Sequence, residues 1–198
     1  MLHDLAVAAP APTGRELEAL HEQLVRRADD GELLDVAYRT VDSPFGSLLV
    51  AVTAVGLVRL AFERETHEAV LAALAERVSP RILRAGRRTD TVARQLDEYF
   101  AGRRRRFDVA VDLRLVHGFR RAALVHLCEI PYGSTESYAA VAAAAGNPKA
   151  VRAAGSACSH NPVPLVVPCH RVVRSDGSIG NYGGGVEMKA ALLAMEAA

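Results

Sequence analysis

The chain has 198 residues, half of them hydrophobic, and its 24 basic and 23 acidic side chains give a formal net charge of +1. This length and apolar content predict a folded protein rather than a disordered one, and the near-neutral charge means that any affinity for nucleic acid must come from locally placed Arg and Lys. Three scattered cysteines (Cys128, Cys158, Cys169) suit a reducing cytoplasm rather than a disulfide framework or a zinc site, and we expect neither secretion nor a membrane, since no basic leader or membrane-length apolar run is present.

Residues 1–34 are predicted to form an N-terminal extension that is largely helical. An Ala-Pro stretch at residues 8–12 is typical of an extended or flexible tail. Thr13 and Glu16 then have the spacing of a capping box. Apolar residues recur on one helical face after that cap, at Leu17, Leu20, Leu24 and Val25. We expect this helix to pack on the following domain or to mediate self-association, and the sequence assigns it no chemistry.

Residues 35–115 are predicted to form a small α/β domain. Short apolar runs separated by turns, at residues 36–41, 48–53 and 57–62, predict a three-stranded antiparallel meander. Apolar residues at helical spacing predict helices near residues 67–78 and 90–100.

Four consecutive arginines at residues 103–106 form the most basic run of the chain. They suit either a phosphate-binding patch or a solvated loop, and the sequence supports the second interpretation at least as well. Alternating apolar residues at 107–115 predict a strand directly after this run.

Residues 116–198 are predicted to form a second, mostly helical domain. A largely apolar helix at residues 119–130 ends at a proline. Thr135 is positioned to cap a helix at residues 136–145, and Asn147 to cap the next at residues 148–159, with Pro148 at its first position. Two short helices so closely joined predict a helix-turn-helix. The many Ala and Gly residues of the second helix suit either tight helix packing or close approach to a DNA groove.

Cys169 follows a short apolar run, residues 165–167, which is bounded by prolines and predicts a buried strand that ends abruptly. A thiol at such a core edge is either inert packing or a reactive group. Pro168 fixes the preceding backbone, and His170 and Arg171 place potential positive charge beside the sulfur. We therefore expect the pKa of the Cys169 thiol to be lowered.

The segment Pro168-Cys169-His170-Arg171-Val172 resembles the active-site segment of the O6-alkylguanine-DNA alkyltransferases, the methylated-DNA–protein-cysteine methyltransferases. Asn161-Pro162 before it and residues 180–185 after it also match. The likeness runs from about residue 130 to Glu196, and more loosely from residue 36. It implies an α/β (α+β) fold: an N-terminal ribonuclease-H-like domain with a three-stranded antiparallel sheet and helices, and a C-terminal winged-helix-like domain with a helix-turn-helix.

The resemblance implies a DNA repair enzyme whose partner is double-stranded DNA containing O6-alkylguanine. The base is flipped out of the duplex and its alkyl group moves irreversibly to Cys169, so each molecule reacts once and needs no cofactor and no metal. A soft sulfur nucleophile suits attack on an alkyl carbon better than a hydroxyl does. Activity on O4-alkylthymine and cooperative self-association on DNA are left open.

The resemblance assigns four residues to catalysis. Cys169 is the nucleophile, and His170 is the base, which acts through a bridging water because neighbours on an extended backbone point to opposite faces. Glu196 holds the other nitrogen of the histidine, and Asn161 ties the DNA-binding helix to the active-site strand. Without the resemblance, Glu196 would be expected in solvent.

The resemblance also assigns residues that contact the base and the DNA. Tyr138, the carbonyl of Val172 and a lid at residues 182–185 would contact the flipped base, with Tyr182, Gly183 and Gly184 as its lid residues. Gly183 stands where many relatives carry serine, which leaves the range of accepted alkyl groups open. Arg152 would fill the gap left by the base, while Asn147 and Ser175 would contact phosphates.

Two rival functions fit the same residues. One is a protein that binds alkylated DNA, or regulates transcription, without transferring the alkyl group; the reactive-type cysteine argues against it. The other is a Cys-His hydrolase of acyl or peptide bonds, which would turn over repeatedly.

Overall fold

The computed structural model describes residues 12–197. The N-terminal domain contains a four-stranded sheet with the strand order β3-β2-β1-β4. Strands β1 (Val36–Val41), β2 (Leu48–Val52) and β3 (Leu57–Phe62) pair antiparallel in sequence, which confirms the predicted meander. A fourth strand that the sequence did not predict, β4 (Ile82–Arg84), pairs parallel with β1. Three residues are too few to produce a periodic signal.

One helix covers each face of this sheet. Helix α2 (His67–Arg77) packs Val70 and Leu74 against one face, and α3 (Gly86–Phe100) packs against the other. All five residues of β2 are buried, because both faces of the strand are covered. Helix α3 begins four residues earlier than predicted, at Gly86.

Helix α1 (Gly14–Asp30) begins at the predicted capping box, with Thr13 and Glu16 bonded reciprocally. Its leucines face solvent, since Leu17, Leu20 and Leu24 are 54%, 58% and 52% exposed. Ala28 and Val25 pack on the core, and polar contacts add to this: Glu18 pairs with Arg84, Asp29 with Arg88, and His21 with the Arg84 carbonyl. The predicted tail at residues 8–12 lies outside the described residues except for Pro12.

The predicted strand at 107–115 is wrong. Only a single bridge forms there, between Val111 and Leu57, through hydrogen bonds that involve the backbones of Ala110 and Asp112. The segment otherwise runs as irregular chain across the end of the sheet. In the preceding arginine run, Arg103, Arg105 and Arg106 are exposed, as in a solvated loop, whereas Arg104 is half-buried and pairs with Glu98 and Asp108.

The second domain contains helices α4 (Gly118–Leu127), α5 (Tyr138–Ala144), α6 (Val151–Ser159) and α7 (Val186–Ala197) and two short parallel strands, β5 (Glu136–Ser137) and β6 (Val172–Val173). Helices α5 and α6 are joined by a short turn and pack together. Within residues 12–197, no helix is both long and apolar enough to cross a membrane.

Of the three helix starts predicted in this domain, two are wrong, whereas α4 begins within one residue of the predicted start. Helix α5 starts at Tyr138 under a Ser137 cap, rather than under Thr135, because residues 136–137 are pulled into a strand by β6. Helix α6 starts at Val151 rather than at Pro148. The side chain and carbonyl of Asn147 accept bonds from the amides of Lys149 and Ala150, so Asn147 closes a turn before the helix.

The predicted strand at 165–167 is also wrong. Leu165 has a φ of 71°, and the amide of Val167 donates to the carbonyl of Val163 at 3.0 Å, so the segment turns rather than extends. A branched side chain in the left-handed region costs about 1–2 kcal/mol. Leu165 and Val167 are buried, as predicted, and Val166 is half-buried, but the three residues form a compact loop that precedes the thiol.

Candidate active site

Cys169 begins a one-turn 3-10 helix, Cys169–Arg171, and its side chain is only 2% exposed. Asn161, just after α6, fixes this loop. Its Nδ2 donates to the Cys169 sulfur at 3.1 Å and to the Val167 carbonyl at 2.8 Å, while its Oδ1 accepts from the Val163 amide at 3.0 Å. One amide side chain therefore sets both the loop path and the position of the sulfur.

A cavity of about 240 Å³ opens beside the thiol at the junction of the two domains. Its second-domain wall includes Cys158, Asn161, Cys169 and Gly183, and its N-terminal-domain wall is formed by Phe62, Arg64 and Glu65. The sulfur is thus shielded from bulk water but borders a space that a small group can enter. The N-terminal domain contributes to this space, which the sequence did not indicate.

The expected lowering of the Cys169 pKa is wrong. Burial raises the pKa of the thiol to about 11, and the Asn161 hydrogen bond and the charge of Lys189 only partly oppose this. His170 and Arg171 follow the cysteine in sequence, but their side chains turn away to Glu196. Although the two residues follow Cys169 directly in sequence, their charged groups therefore do not lie at the sulfur.

Lys189, on α7, is a functional candidate that sequence reasoning missed. Its side chain is fully buried, its Nζ donates to the Val172 carbonyl, and it lies 5.7 Å from the centre of the Tyr138 ring. Burial lowers the pKa of Lys189, while the nearby Cys169 and Cys158 sulfurs raise it. The sequence does contain an indication of this role: Lys189 and Glu196 are seven residues apart and so share one face of α7, which places Lys189 on the same face as the predicted catalytic glutamate.

The His170 ring is fully buried, and its two nitrogens have different environments. Nε2 lies 2.9 Å from Glu196 Oε1, whereas Nδ1 has no hydrogen-bonding partner among the described residues. A carboxylate acceptor assigns the ring proton to Nε2 and leaves Nδ1 as an acceptor. Burial lowers the pKa of His170 despite the opposing effect of Glu196, so the ring favours its neutral form.

Glu196 is buried rather than exposed, and several donors surround it. Arg171 donates from Nε to Oε2 at 2.8 Å and from Nη2 to Oε1 at 2.9 Å, and Tyr99 donates to Oε1 at 2.7 Å. Burial alone would raise the pKa of Glu196, but hydrogen bonds from His170 and Arg171 outweigh it and hold the pKa well below its ordinary value. Sequence reasoning missed Tyr99 as a partner of this carboxylate and gave Arg171 a different role.

Tyr182 and the glycines after it lie over the same region. The Tyr182 ring is buried with its centre 5.6 Å from that of Phe62 and 6.3 Å from that of His170, and its hydroxyl has no partner among residues 12–197. Gly183 is exposed and lines the cavity. A Cβ on Gly184 would collide with the sulfur of Met188, so a larger residue there would require the Met188 side chain to move.

Lys189 contacts both Tyr138 and Val172, since its Nζ lies near the Tyr138 ring and donates to the Val172 carbonyl. Tyr138 is half-buried at the start of α5, against Gly155 and Gly180, and a Cβ on Gly180 would overlap its hydroxyl. The Val172 carbonyl, predicted to accept from the base, already accepts from Lys189. A carbonyl has a second lone pair, so one further donor can be accommodated.

Arg152, Asn147 and Ser175 are all exposed, and none of them lines the cavity beside the thiol. Arg152 is the second residue of α6, and it has no ion-pair or hydrogen-bond partner in the part of the chain that the structure describes. Asn147 lies in the turn before α6, and Ser175 in the turn after β6. The Oδ1 of Asn147 accepts from the Lys149 amide, so only its Nδ2 is uncommitted, but all three side chains lie where a partner at the surface can reach them.

Comparison with known families finds two matches, which together cover most of the chain. Residues 36–113 match the family described as 6-O-methylguanine DNA methyltransferase, ribonuclease-like domain. Residues 118–198 match its DNA binding domain.

Curated relatives and solved structures agree with these matches. The chain is 42% identical over 161 residues to the methylated-DNA–protein-cysteine methyltransferase of Mycolicibacterium paratuberculosis, covering 81% of this chain and 92% of that protein. It is 34% identical over 159 residues to that of Methanosarcina barkeri, covering 80% and 96%. The crystal structure of the Mycobacterium tuberculosis O6-methylguanine methyltransferase matches with a TM-score of 0.71 and 38% identity, over 82% of this chain and 93% of that one. A structure of the Mycobacterium tuberculosis protein in complex with DNA matches with the same TM-score and identity, over 81% and 92%.

Proposed function

The chain belongs to the methylated-DNA–protein-cysteine methyltransferase family, and from that premise we propose that it repairs duplex DNA by moving the alkyl group of O6-alkylguanine irreversibly onto Cys169. One arrangement carries this proposal. The buried Cys169 thiol borders a cavity, and in the same core lies His170, which favours its neutral form and is hydrogen-bonded to the Glu196 carboxylate. The proposed domains are an extension at 1–34, an α/β domain at 35–115 and a DNA-binding and transfer domain at 116–198.

The reaction begins with removal of the thiol proton. Since the pKa of Cys169 is raised, the sulfur rests as a thiol and needs a base. Nδ1 of His170 takes the proton through a bridging water, and Glu196 stabilises the imidazolium that forms. The unpartnered state of Nδ1 and the bond between Nε2 and Glu196 support these roles.

The thiolate then attacks the alkyl carbon, so an S–C bond forms as the C–O6 bond breaks and guanine leaves as an anion that is then protonated. A sulfur with a high pKa is the stronger nucleophile once it is deprotonated. The product is a thioether, which water does not hydrolyse under ordinary conditions. Each molecule therefore acts once, with no cofactor, and the proposed compartment is the cytoplasm.

Recognition of the flipped base is assigned to the residues around the cavity. The main-chain amides of Gly183 and Gly184 approach the purine oxygen, Tyr138 donates to the ring, and the second lone pair of the Val172 carbonyl accepts from the exocyclic amine. Tyr182, whose hydroxyl is unpartnered, closes over the base. These residues also determine which alkyl groups are accepted, including those on O4 of thymine.

DNA is bound through the helix-turn-helix of α5 and α6. Helix α6 carries small side chains that permit close approach to the minor groove, and its exposed Arg152 enters the stack in place of the flipped base. Unstacking a base costs about a few kcal/mol, which such a replacement offsets. The exposed Asn147 and Ser175 contact phosphates of the DNA backbone.

The test is to incubate the protein with a duplex containing O6-methylguanine and to analyse its peptides by mass spectrometry. We expect one methyl group on the Cys169 peptide, equimolar with repaired base, and none after Cys169→Ala. Cys128→Ala is the matched control, because that thiol is exposed and does not line the cavity. Binding without modification would instead identify a non-transferring DNA-binding protein, and repeated turnover of an acyl substrate would identify a hydrolase.

A further inference from the structure

Tyr99 connects the N-terminal domain directly to the hydrogen-bond network behind the base. It lies near the end of α3, is fully buried, and packs with its ring centre 5.2 Å from that of Phe107 and 6.3 Å from that of Tyr132. Its hydroxyl donates to Glu196 Oε1 at 2.7 Å and lies 3.5 Å from His170 Nε2. An apolar pocket of aromatic rings thus directs one polar atom at the carboxylate of the other domain.

Glu196 Oε1 is shared by three groups, since it lies within hydrogen-bond distance of His170 Nε2, Arg171 Nη2 and the Tyr99 hydroxyl. Burial, followed by the charge of Glu196, raises the pKa of Tyr99 far above its ordinary value, so the phenol stays protonated and donates. Each donor draws electron density from the oxygen. The carboxylate is therefore a weaker acceptor for His170 than it would be without Tyr99.

We infer that Tyr99 is a positioning residue for alkyl transfer, which holds the Glu196 carboxylate against His170 Nε2 so that Nδ1 can accept the thiol proton. The inference rests on the proposed transfer to Cys169. It makes the N-terminal domain a part of the catalytic unit rather than only a support for the DNA-binding domain.

The effect of removing the hydroxyl has a definite sign. In Tyr99→Phe, Glu196 loses a donor, becomes more basic and stabilises the imidazolium form of His170. The pKa of His170 then rises, so at a given acidic pH a larger fraction of the enzyme carries a protonated histidine that cannot act as base. The acidic limb of the pH–rate profile moves to higher pH. A tyrosine that only filled space would lower stability without moving that limb.

The experiment measures single-turnover methyl transfer from an O6-methylguanine duplex between about pH 5 and pH 9, the range in which histidine titrates. For Tyr99→Phe we expect the acidic limb to move upward and the rate constant below it to fall about 3- to 10-fold, the size of one ordinary intramolecular hydrogen bond. Above the limb the rate should stay within about twofold of wild type.

Tyr132→Phe is the matched control. Its ring packs against Tyr99, and its hydroxyl also donates to α7, but to the main-chain carbonyl of Met195 at 3.3 Å rather than to a carboxylate. It should leave the limb in place. A limb that moves equally in both variants, or in neither, overturns the inference.

Partial unfolding does not confuse this test, because in a single turnover the amplitude reports the competent fraction while the rate constant reports the chemistry. Should Tyr99→Phe give no folded protein, 3-fluorotyrosine incorporated at position 99 is a stronger donor and should move the limb to lower pH. No movement there also overturns the inference. If wild-type protein acquires no methyl group on Cys169, the proposed function itself fails, which is a distinct result.

Discussion

The two sides of the His170 ring differ in how completely their polar atoms are satisfied. On the Nε2 side, Glu196 accepts from Arg171, Tyr99 and, at 3.3 Å, the amide of Gly133 in addition to His170. On the other side, Nδ1 is buried without a partner among residues 12–197, and the same holds for the hydroxyl of Tyr182, whose ring centre lies 6.3 Å from that of His170. The hydrogen bonds of the Glu196 side are thus complete before DNA binds. The unpartnered polar atoms are available to contact the flipped guanine or the bridging water.

The cost of each arrangement explains the difference. A buried charge that loses its partner costs about 3–5 kcal/mol, so the carboxylate side must be complete in the folded protein. A neutral polar atom left unpaired costs about 1–3 kcal/mol, which a folded protein can sustain at a few positions where a ligand will bind.

The strongest test of the complete side is Glu196→Gln. The neutral amide leaves the Arg171 charge buried without its partner and removes the anion that stabilises the imidazolium. We expect methyl transfer to slow at least about 100-fold and the free energy of unfolding to fall by about 3–5 kcal/mol, measured by single-turnover kinetics and urea denaturation.

The same variant has a predicted pH dependence. The pKa of Glu196 is lower in the folded protein than its ordinary value of 4.5, so its stabilising effect is complete above that value and is lost as the pH falls below it. The stability gap between wild type and variant should therefore narrow in acid. Glu187→Gln, an exposed residue of the same helix, is the control and should change neither quantity. A variant as fast as wild type would remove Glu196 from the relay.

A change at the thiol, Lys189→Met, should have an intermediate effect. Lys189 is the residue whose charge lowers the pKa of Cys169 against burial, so the variant should raise that pKa further and slow transfer near neutral pH by roughly 10-fold. The pH dependence of Cys169 alkylation by iodoacetamide measures the thiol pKa directly. Lys149→Met is the matched control, because Lys149 is exposed and is the only other lysine of the chain. A thiol that titrates as in wild type would leave Lys189 with a packing role alone.

The smallest effect is expected on the incomplete side, for Tyr182→Phe. Its hydroxyl has no partner to lose, so the free energy of unfolding should stay the same or rise by up to about 1 kcal/mol, whereas Tyr132→Phe, which loses a bonded hydroxyl, should cost about 1 kcal/mol. Thermal and urea denaturation of the two variants compare them directly. A marked loss of stability in Tyr182→Phe would show that the hydroxyl is satisfied in the folded protein.

Local patterns predicted much of the fold, because the forces involved act within a few residues. The capping box of Thr13 and Glu16 and the meander of β1 to β3 are examples. The predictions failed where distant chain decides local structure. Residues 136–137 form a strand only because β6 lies beside them, and Leu165 adopts a left-handed turn inside a packed core.

The candidate site shows the same division. Cys169, His170 and Asn161 lie close together in sequence, and the motif identified them. The pKa of the thiol was predicted with the wrong sign, because it depends on burial and on Lys189 rather than on the next two residues. Tyr99 reaches His170 across 71 residues and Glu196 across 97, separations at which no local pattern carries information. Roles that come from the resemblance, such as those of Arg152, Asn147 and Ser175, stay predictions.

The bond between Tyr99 and Glu196 also bears on the order of events during synthesis. A nascent chain that has left the ribosome as far as β6 already carries Cys169 and His170, but neither α7 nor its carboxylate. The histidine cannot then be fixed with its Nδ1 free, and Arg171 has no anion to bind. Reactivity should therefore appear late, in a single step, when α7 docks and brings Glu196 to His170, Arg171 and Tyr99.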